Sequence, residues 1–259
     1  MKKGAKYTIA ILAAVLFVCV TALIRTGVRA NRHTLTCSGL CIEFKDSLRF
    51  VDEADIKTCL ERNCPVYIGR RLDSIDLCGI ENVLNSRSAI LRSEAWTESD
   101  GNLHVSITQR SPVAKITTAD HSFYIDDRGF IFPMRGECTV DIPVIEGAVP
   151  LHEPAGYKGE ASTPEGRAWV QDITRLISYM DRQREWKGRF GKIRVDAGGD
   201  LVLVPAEGQE TFIFGKCSDI PAKFARIDKY YRRIRPELGE DRYRTVNVKY
   251  KGQIVCRKK

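Results

Sequence analysis

The side chains that could do chemistry in this sequence are four histidines and one pair of neighbouring aspartates. The pair Asp126-Asp127 could act as two cooperating carboxylates, but Asp-x-x-Gly between two apolar segments is typical of a turn. A P-loop, a Gly-x-Gly-x-x-Gly fingerprint and a Gly-x-Ser-x-Gly elbow are absent from the sequence. The histidines are scattered and match no metal-binding spacing such as His-Glu-x-x-His; they are His33, His104, His121 and His152. We therefore predict no catalytic residue, no metal and no cofactor.

Composition and charge limit the class of protein. Hydrophobic residues make up 43% of the chain and charged residues 29%, which is typical of a globular protein with a core. The net charge is +8, a balance that suits either nucleic acid or an anionic membrane surface. Because the basic residues do not cluster in a nucleic-acid-reading pattern, the charge favours a protein beside a membrane.

The nine cysteines leave two interpretations open. Cys19 lies in an apolar run, and the remaining eight are an even number, which would allow disulfides in an oxidising compartment. No Cys-x-x-Cys occurs, and the spacings of Cys37 with Cys41 and of Cys59 with Cys64 are not those of metal ligands. The alternative is that these residues serve as small buried hydrophobes. The sequence does not give a disulfide connectivity.

One apolar run, Tyr7 to Ile24, organises the rest of the chain. It contains no charge, Pro or Gly, and as a helix it would span about 27 Å, close to the hydrocarbon thickness of a bilayer. Three lysines precede the run and Arg25 follows it. A cleaved signal peptide usually has a shorter apolar core that ends in small residues, so we predict an uncleaved single-pass anchor.

The anchor sets the expected topology. It divides the chain into a tail at residues 1–6, a transmembrane helix at 7–24, a basic linker at 25–34 and a large remainder. We expect the protein in the cytoplasmic (inner) membrane, with its amino terminus in the cytoplasm and its bulk on the periplasmic or extracytoplasmic side. The remainder is too long for one typical small domain and predicts two, at residues 35–111 and 112–259.

The first domain is predicted to have the order β-α-α-β-β. Acidic residues after Asp52, and Asp76 as a cap, are helix-start signals. Ser99-Asp100-Gly101-Asn102 is typical of a hairpin turn, after which apolar and polar residues alternate as in a half-buried strand. The predicted elements are Leu35–Phe44, a helix from Asp52 to Asn63, a helix at Leu77–Leu84, and strands at Ile90–Glu98 and from Leu103. Helices on one face of a small sheet would bury the apolar stripes.

The second domain is predicted to be mainly antiparallel β with two flanking helices, which makes the whole chain α+β. Thr163-Pro164 begins the first of these helices, and Ser218 with Pro221 begins the second. The last predicted strand is Tyr243–Tyr250, followed by a bend at Lys251-Gly252 and further extended chain. Other predicted strands are Phe123–Ile125, Gly129–Pro133, Ile142–Ile145, Lys192–Val195, Leu201–Pro205 and Thr211–Phe214.

This ordered set of motifs resembles the FtsQ/DivIB family of bacterial cell-division proteins. Gly69, Leu72, Ile75 and Leu84 are similar to positions of its polypeptide-transport-associated (POTRA) domain, and Gln109-Arg110-Ser111-Pro112-Val113-Ala114 resembles the end of its domain-closing strand. Further matching segments are Tyr124-Ile125-Asp126, Ile142-Pro143-Val144-Ile145-Glu146-Gly147 and Val246-Asn247-Val248-Lys249-Tyr250. Asn85-Ser86-Arg87-Ser88 departs from the family pattern, since many relatives have Pro there.

The resemblance implies a non-enzymatic scaffold of the division septum. Family members recruit the FtsB/FtsL coiled-coil pair through the last strands and the last helix of the β domain. We expect strand addition at Arg244–Ile254, because a terminal strand is often an edge with unpaired N–H and C=O groups. Carried over to this chain, the partner-binding residues are Phe224, Ile227, Tyr231, Arg232, Arg233, Arg244, Val246, Val248, Tyr250 and Ile254. The three arginines could pair with acidic residues of the partner.

Other classes remain as alternatives. A POTRA-containing envelope assembly or secretion factor usually carries several such domains. A membrane-anchored hydrolase would need a pocket with convergent polar groups. A nucleic-acid binder would use the basic segment near Arg226–Arg235 and would bind in a salt-dependent way. A single POTRA-like domain behind an amino-terminal anchor favours the scaffold.

Overall fold

The computed structural model describes residues 16–21, 35–133, 141–238 and 242–258. Residues 16–21 are helical, with mostly exposed side chains. The rest of the predicted anchor, the tail before it and the linker up to residue 34 lie outside the described residues. Over the described ranges, no helix combines the length and apolar character that crossing a bilayer requires.

The chain divides into two compact units between Gln109 and Arg110. The first unit contains β1 (Gly39–Phe44), α1 (Glu53–Asn63), a 3₁₀ turn (Leu72–Ser74), α2 (Leu77–Asn85), β2 (Ile90–Thr97) and β3 (Asn102–Gln109). Its sheet has the order β1-β3-β2, with β1 parallel and β2 antiparallel to the central strand. The predicted β-α-α-β-β order is therefore confirmed.

Both helices of the first unit begin where the sequence indicates. The Asp52 side chain accepts the N–H of Asp55, and the Asp55 side chain accepts the N–H of Asp52, which forms a capping box. The Asp76 side chain accepts the N–H of Gly79 at the start of α2. The buried helix side chains join the inward-facing residues of β3 in one core: Ile56, Leu60, Ile80, Leu84, Leu103, Val105 and Ile107.

The central position of β3 changes one expectation. The alternating pattern predicts a solvent face for His104, Ser106 and Thr108, but Ser106 is only 4% exposed. Side chains of β1 and β2 flank those of the central strand β3 on this face, and His104 and Thr108 are also only partly exposed. The hairpin that leads into β3 turns at Gly101, whose φ of +83° lies in the left-handed region that glycine adopts at little cost.

The described residues of the second unit form one mixed sheet of nine strands. The strands are β4 (Pro112–Thr117), β5 (Ser122–Asp126), β6 (Ile131–Pro133), β7 (Val144–Gly147), β8 (Phe190–Val195), β9 (Leu201–Pro205), β10 (Thr211–Gly215), β11 (Tyr243–Asn247) and β12 (Val255–Lys258). Their order is β12-β11-β10-β9-β8-β7-β4-β5-β6. β7 lies parallel to both β4 and β8, and β11 lies parallel to β10; the other neighbours are antiparallel.

The helices of the second unit are α3 (Pro164–Arg182), α4 (Ile220–Lys229), a π-helical turn (Tyr230–Ile234) and the short α5 (Arg235–Leu238). Thr163 caps α3 through the N–H of Gly166, as its sequence position before Pro164 predicts. α4 contributes Phe224 and Ile227 to the same core as α3 and the sheet. Phe224 lies among Tyr179, Trp186, Phe190 and Phe214, with ring centroids 5.0 to 6.1 Å apart.

Candidate partner-binding edge

The outermost strand at the carboxy-terminal side of the large sheet is β12. Val255 and Cys256 pair with Asn247 and Val246 of β11, and β11 pairs on its other side with β10. The expectation of an edge at Arg244–Ile254 is therefore wrong for Arg244–Asn247, because this part of the segment lies on β11 between β10 and β12. The chain turns at Gly252, whose φ is +75°, and returns to cover β11. Among the residues that the structure describes, β12 has no strand on its outer side.

Four of the predicted partner-binding side chains lie in the core. Phe224 is 1% exposed, and Ile227, Val246 and Val248 are fully buried. Their apolar character fits this position, because residues of helix and strand that face the same interior bury the same kind of surface. Direct contact with a partner is not open to these side chains in the described fold, so their role is to hold the edge in place.

The backbone of Val248 is also occupied. Its N–H donates to the carbonyl of Ile213 at 3.0 Å, and its carbonyl accepts the Nε–H of Arg226 at 3.0 Å. Lys223, which lies on the same helix as Arg226, is only 3% exposed, although a lysine side chain usually stays at the surface. Its Nζ donates to the carbonyl of Lys216 at 2.6 Å and lies 4.8 Å from the ring centroid of Phe214. Burial lowers the pKa of Lys223.

The three predicted arginines differ in what they contact. Arg232 donates from Nε to Asp228 at 2.6 Å and lies 3.4 Å from a carboxylate oxygen of Glu185. Arg233 and Arg244 have exposed side chains. Arg244 lies on β11, and its carbonyl accepts a hydrogen bond from the Thr211 hydroxyl.

Tyr231 and Tyr230 lie in the π-helical turn that follows α4. The guanidinium carbon of Arg189 is 4.1 Å from the ring centroid of Tyr231. Burial, followed by the negative charge of Glu210, raises the pKa of each tyrosine to about 12. The Tyr231 side chain is partly buried and packs against the core of the second unit. Nothing in the sequence pattern indicates a π turn at this point.

Two apolar side chains are exposed near the outer strand of the sheet. Tyr250 is one of the predicted partner-binding residues, and Val255 was not predicted. In the described part of the second unit they are the large apolar side chains that stay exposed, at 50% and 49%. Ile254 and Cys256 instead pack against the core, while Arg257 and Lys258 are exposed. We define the β12 edge as Tyr250 together with Val255–Lys258. The only sequence signal for it was the extended chain after the bend at Lys251-Gly252.

The opposite end of the large sheet is closed by the chain itself. β6 is short and ends at Pro133, which has no N–H to donate. Ile131 donates to the carbonyl of Gly159 at 2.8 Å, and Gly159 donates back to Ile131 at 3.0 Å. Since this bridge occupies the rim of β6, the β12 edge is the better candidate for an incoming strand.

In the described ranges, one histidine and two acidic residues form a cluster at the hairpin that joins β2 and β3. The ligand-type atoms of Glu98, Asp100 and His104 lie within 4.8 Å of one another. Asp100 accepts from Asn102 and lies 2.9 Å from Nε2 of His104; these hydrogen bonds, led by the one from the Asn102 N–H, lower the pKa of Asp100. Trp96 stacks on the His104 ring and donates to Glu98. Hydrogen bonding within the hairpin accounts for the cluster.

The described cysteines are free thiols, and Cys138 lies outside the described residues. Cys37 and Cys59 are buried, as the small-hydrophobe interpretation expects. Burial raises the pKa of Cys217 to about 12. At pH 8 only about one molecule in ten thousand would then carry the reactive thiolate at this position.

We expect Cys217 to react with iodoacetamide at least about 100-fold more slowly than the exposed Cys78 at pH 8, because alkylation needs the thiolate. The rate at Cys217 should rise about tenfold per pH unit toward pH 12. Mass spectrometry of tryptic peptides after timed labelling of the native protein measures both rates. Equal rates at the two positions would contradict the burial of Cys217.

Two protein-family models match this chain. A POTRA-like domain model matches residues 35–108, and a model described as FtsQ/DivIB, C-terminal related, matches residues 111–257. No curated protein gives a significant match. The second model alone spans more than half of the chain, and its residues include α3, α4 and all of the β12 edge except Lys258. The protein therefore belongs to the FtsQ/DivIB family of non-catalytic bacterial cell-division scaffolds.

Proposed function

We propose that this protein is a membrane-anchored scaffold that recruits FtsB/FtsL-type partners to the septum by accepting a partner strand on the β12 edge. The observation that carries the proposal is a sheet rim occupied by β12 alone, beside two exposed apolar side chains. The family supports a role in cell division. The strand addition, the partners and the membrane topology are parts of the proposal.

The backbone of β12 supplies the affinity in this mechanism. An edge strand directs alternate N–H and C=O groups away from its own sheet, and an incoming strand can pair with them. β12 is only four residues long, so the main-chain bonds it can offer are few. Side-chain contacts must therefore add to them, and Val255 and Tyr250 provide apolar surface next to the rim.

Charge would select the partner. Arg257 and Lys258 are exposed on β12, and Arg244 is exposed on the neighbouring strand. Lys249, in contrast, forms an ion pair with Asp200. An incoming strand with an acidic flank would complement these basic groups, which would favour encounter and fix the register more than it would raise affinity.

The membrane part of the proposal rests on the sequence. The uncharged run at Tyr7–Ile24 and its basic flanks support a single-pass anchor in the cytoplasmic membrane, with the two folded units on the periplasmic or extracytoplasmic side. Such an anchor would confine the β12 edge to the membrane where septum formation takes place. A soluble scaffold would have to find the same site by diffusion.

We expect Val255→Asp to weaken binding of a purified FtsB/FtsL-type pair at least about tenfold, equal to about 1.4 kcal/mol, because a carboxylate would replace apolar contact at the rim. The full chain is reconstituted in nanodiscs, and affinity is measured by biolayer interferometry. Tyr250→Asp should weaken binding in the same direction. Ala168→Asp is the matched control, since Ala168 is also an exposed apolar residue of this unit but lies on α3.

Hydrogen exchange tests whether a strand is added. Amides of residues 253–258 should exchange more slowly when the partner pair is bound, and those of Val66 and its neighbours should not change. Circular dichroism confirms that each variant remains folded. Unchanged affinity of Val255→Asp and Tyr250→Asp, or partner binding without protection of β12, would reject strand addition at this edge.

A further inference from the structure

We propose that the Val66–Ile68 tip of the POTRA-like domain rests on the bilayer surface beside the chain's own anchor. This inference depends on the proposed single-pass anchor. It concerns a surface of the first unit that has no part in strand addition at the β12 edge. The tip is the segment Val66–Ile68, between α1 and the 3₁₀ turn.

The tip exposes apolar side chains on a fixed backbone. Val66 is 73% exposed and Ile68 is 49% exposed, which makes them the exposed large apolar residues of the first unit between residues 35 and 109. Tyr67 lies between them and packs partly against the core. A groove of about 210 Å³ beside the tip is lined in part by Cys64, Tyr67, Ile75 and Val83.

Hydrogen bonds on both sides hold the tip in place. The N–H of Cys64 donates to Leu60 at the end of α1 at 2.9 Å, and the N–H of Gly69 donates to Cys37 at 2.7 Å. The N–H of Arg70 donates to Tyr67 at 3.2 Å. Because its ends are bonded, the segment presents Val66 and Ile68 outward without relying on a flexible loop. Exposed, prearranged apolar side chains are typical of a contact surface.

The path of the chain identifies the occupant as the bilayer. The described first unit begins at Leu35, and Leu35 and Cys37 bond directly to Leu72, Arg70 and Gly69 at 2.7 to 3.0 Å. The tip therefore lies next to the segment through which the tether enters the domain. Residues 25–34 separate that segment from the end of the apolar run at Ile24, so Ile24 and Leu35 lie at most about 40 Å apart.

Charge agrees with this placement. The linker at residues 25–34 carries three arginines and no acidic residue, so it suits an anionic lipid surface. The charged groups next to the tip are balanced in number: Glu61, Arg62, Arg70, Arg71, Asp73 and Asp76. Arg71 also pairs with Asp73 at 2.6 Å. The tip itself would thus contribute apolar contact, and the linker would contribute the attraction to anionic lipid.

A photo-crosslinking experiment tests the inference on the full chain. Benzoylphenylalanine replaces Val66 in protein reconstituted into nanodiscs of phosphatidylethanolamine and phosphatidylglycerol, and lipid adducts are identified by mass spectrometry. The same substitution at Phe17 reports insertion of the anchor, and at Val255 it reports an equally apolar position in the other unit. We expect the adduct yield at position 66 to exceed that at position 255 at least about fivefold.

Each remaining outcome separates the two proposals. Adducts at position 17 with no excess at position 66 over position 255 would overturn the membrane contact of the tip and leave the anchor standing. Absence of adducts at both 17 and 66 would overturn the anchor together with the inference. When the FtsB/FtsL-type pair is added to the nanodiscs, a crosslink from position 66 to that pair in place of lipid would assign the tip to a protein and reject the bilayer. Ile68→Asp should lower the lipid yield at position 66 if the tip makes the contact.

Discussion

Replacement of Arg110 by Ala is expected to lower the free energy of unfolding of the second unit by about 3 to 5 kcal/mol. Arg110 donates to the carboxylate of Asp126 at 2.6 Å, and Asp126 is only 2% exposed. The guanidinium carbon of Arg110 also lies 3.8 Å from the ring centroid of Phe130. Removal of the arginine would leave a buried carboxylate without its charge partner, which is far more costly than the loss of a surface ion pair.

The Asp126 carboxylate cannot move away to reach water, because it also holds the turn that follows β5. Its Oδ1 accepts the N–H of Arg128 at 2.9 Å and that of Phe130 at 2.8 Å. The interpretation of Asp126-Asp127-Arg128-Gly129 as a turn is confirmed, and Gly129 has a φ of +81° in it. Urea denaturation followed by tryptophan fluorescence measures the effect, because Trp169 and Trp186 belong to or pack against this core.

The matched control for Arg110 is Arg128→Ala, since the Arg128 side chain is exposed and should change stability by no more than about 0.5 kcal/mol. The double variant Arg110→Met with Asp126→Asn should lose less than the two single variants combined, because it removes both members of the buried pair. A stability of Arg110→Ala within about 1 kcal/mol of the unaltered protein would show that the ion pair does not hold this turn.

Val248→Asp is expected to prevent stable folding of the second unit, with a loss of about 4 kcal/mol or more. Val248 is fully buried in the same core as Phe212, Phe224 and Val246. A carboxylate at this position would lie among apolar side chains, and the hydrogen bonds to Ile213 and Arg226 use only the backbone of the residue. The variant should lose the cooperative unfolding transition seen by circular dichroism.

Tyr250→Asp provides the comparison, because Tyr250 is half exposed two residues further along the chain. It should remain within about 0.5 kcal/mol of the unaltered protein. The consequence for partner binding is direct, since a charged residue at position 248 would abolish binding by unfolding and cannot test the interface. A folded Val248→Asp variant with normal stability would show that the Val248 side chain does not pack in the apolar core at the end of β11.

Local signals in the sequence predicted much of the first unit. Capping residues such as Asp52 and Asp76 act within one turn, so they can be identified without knowledge of the fold. β4 (Pro112–Thr117) was not predicted, because its first residue is a proline, and a proline usually interrupts a strand. The sequence contains the family motif at Gln109–Ala114 but does not show what its side chains contact. In the structure, Gln109 donates to Asp46 and Leu48, and Arg110 donates to Asp126.

Of the residues that form the β12 edge, the sequence predicted Tyr250 and missed Val255–Lys258. The period of a strand tells which side chains share a face, but it does not tell which strand lies beside which. The sequence therefore predicts an apolar face for Val246 and Val248 and cannot show that β12 returns to cover β11. The buried amine of Lys223 was missed for a similar reason, because its partner is a carbonyl of Lys216 in the preceding segment.

The bridge between Ile131 and Gly159 bears on how an assembly built on this sheet could grow. If β12 accepts a partner strand as proposed, the new outer edge of the sheet would consist of the partner's own backbone. Addition of a further strand to the sheet would then depend on the sequence of the partner and no longer on this chain. Under the proposed mechanism, each copy of this sheet would therefore accept one partner strand, because its opposite edge is already bridged by Gly159.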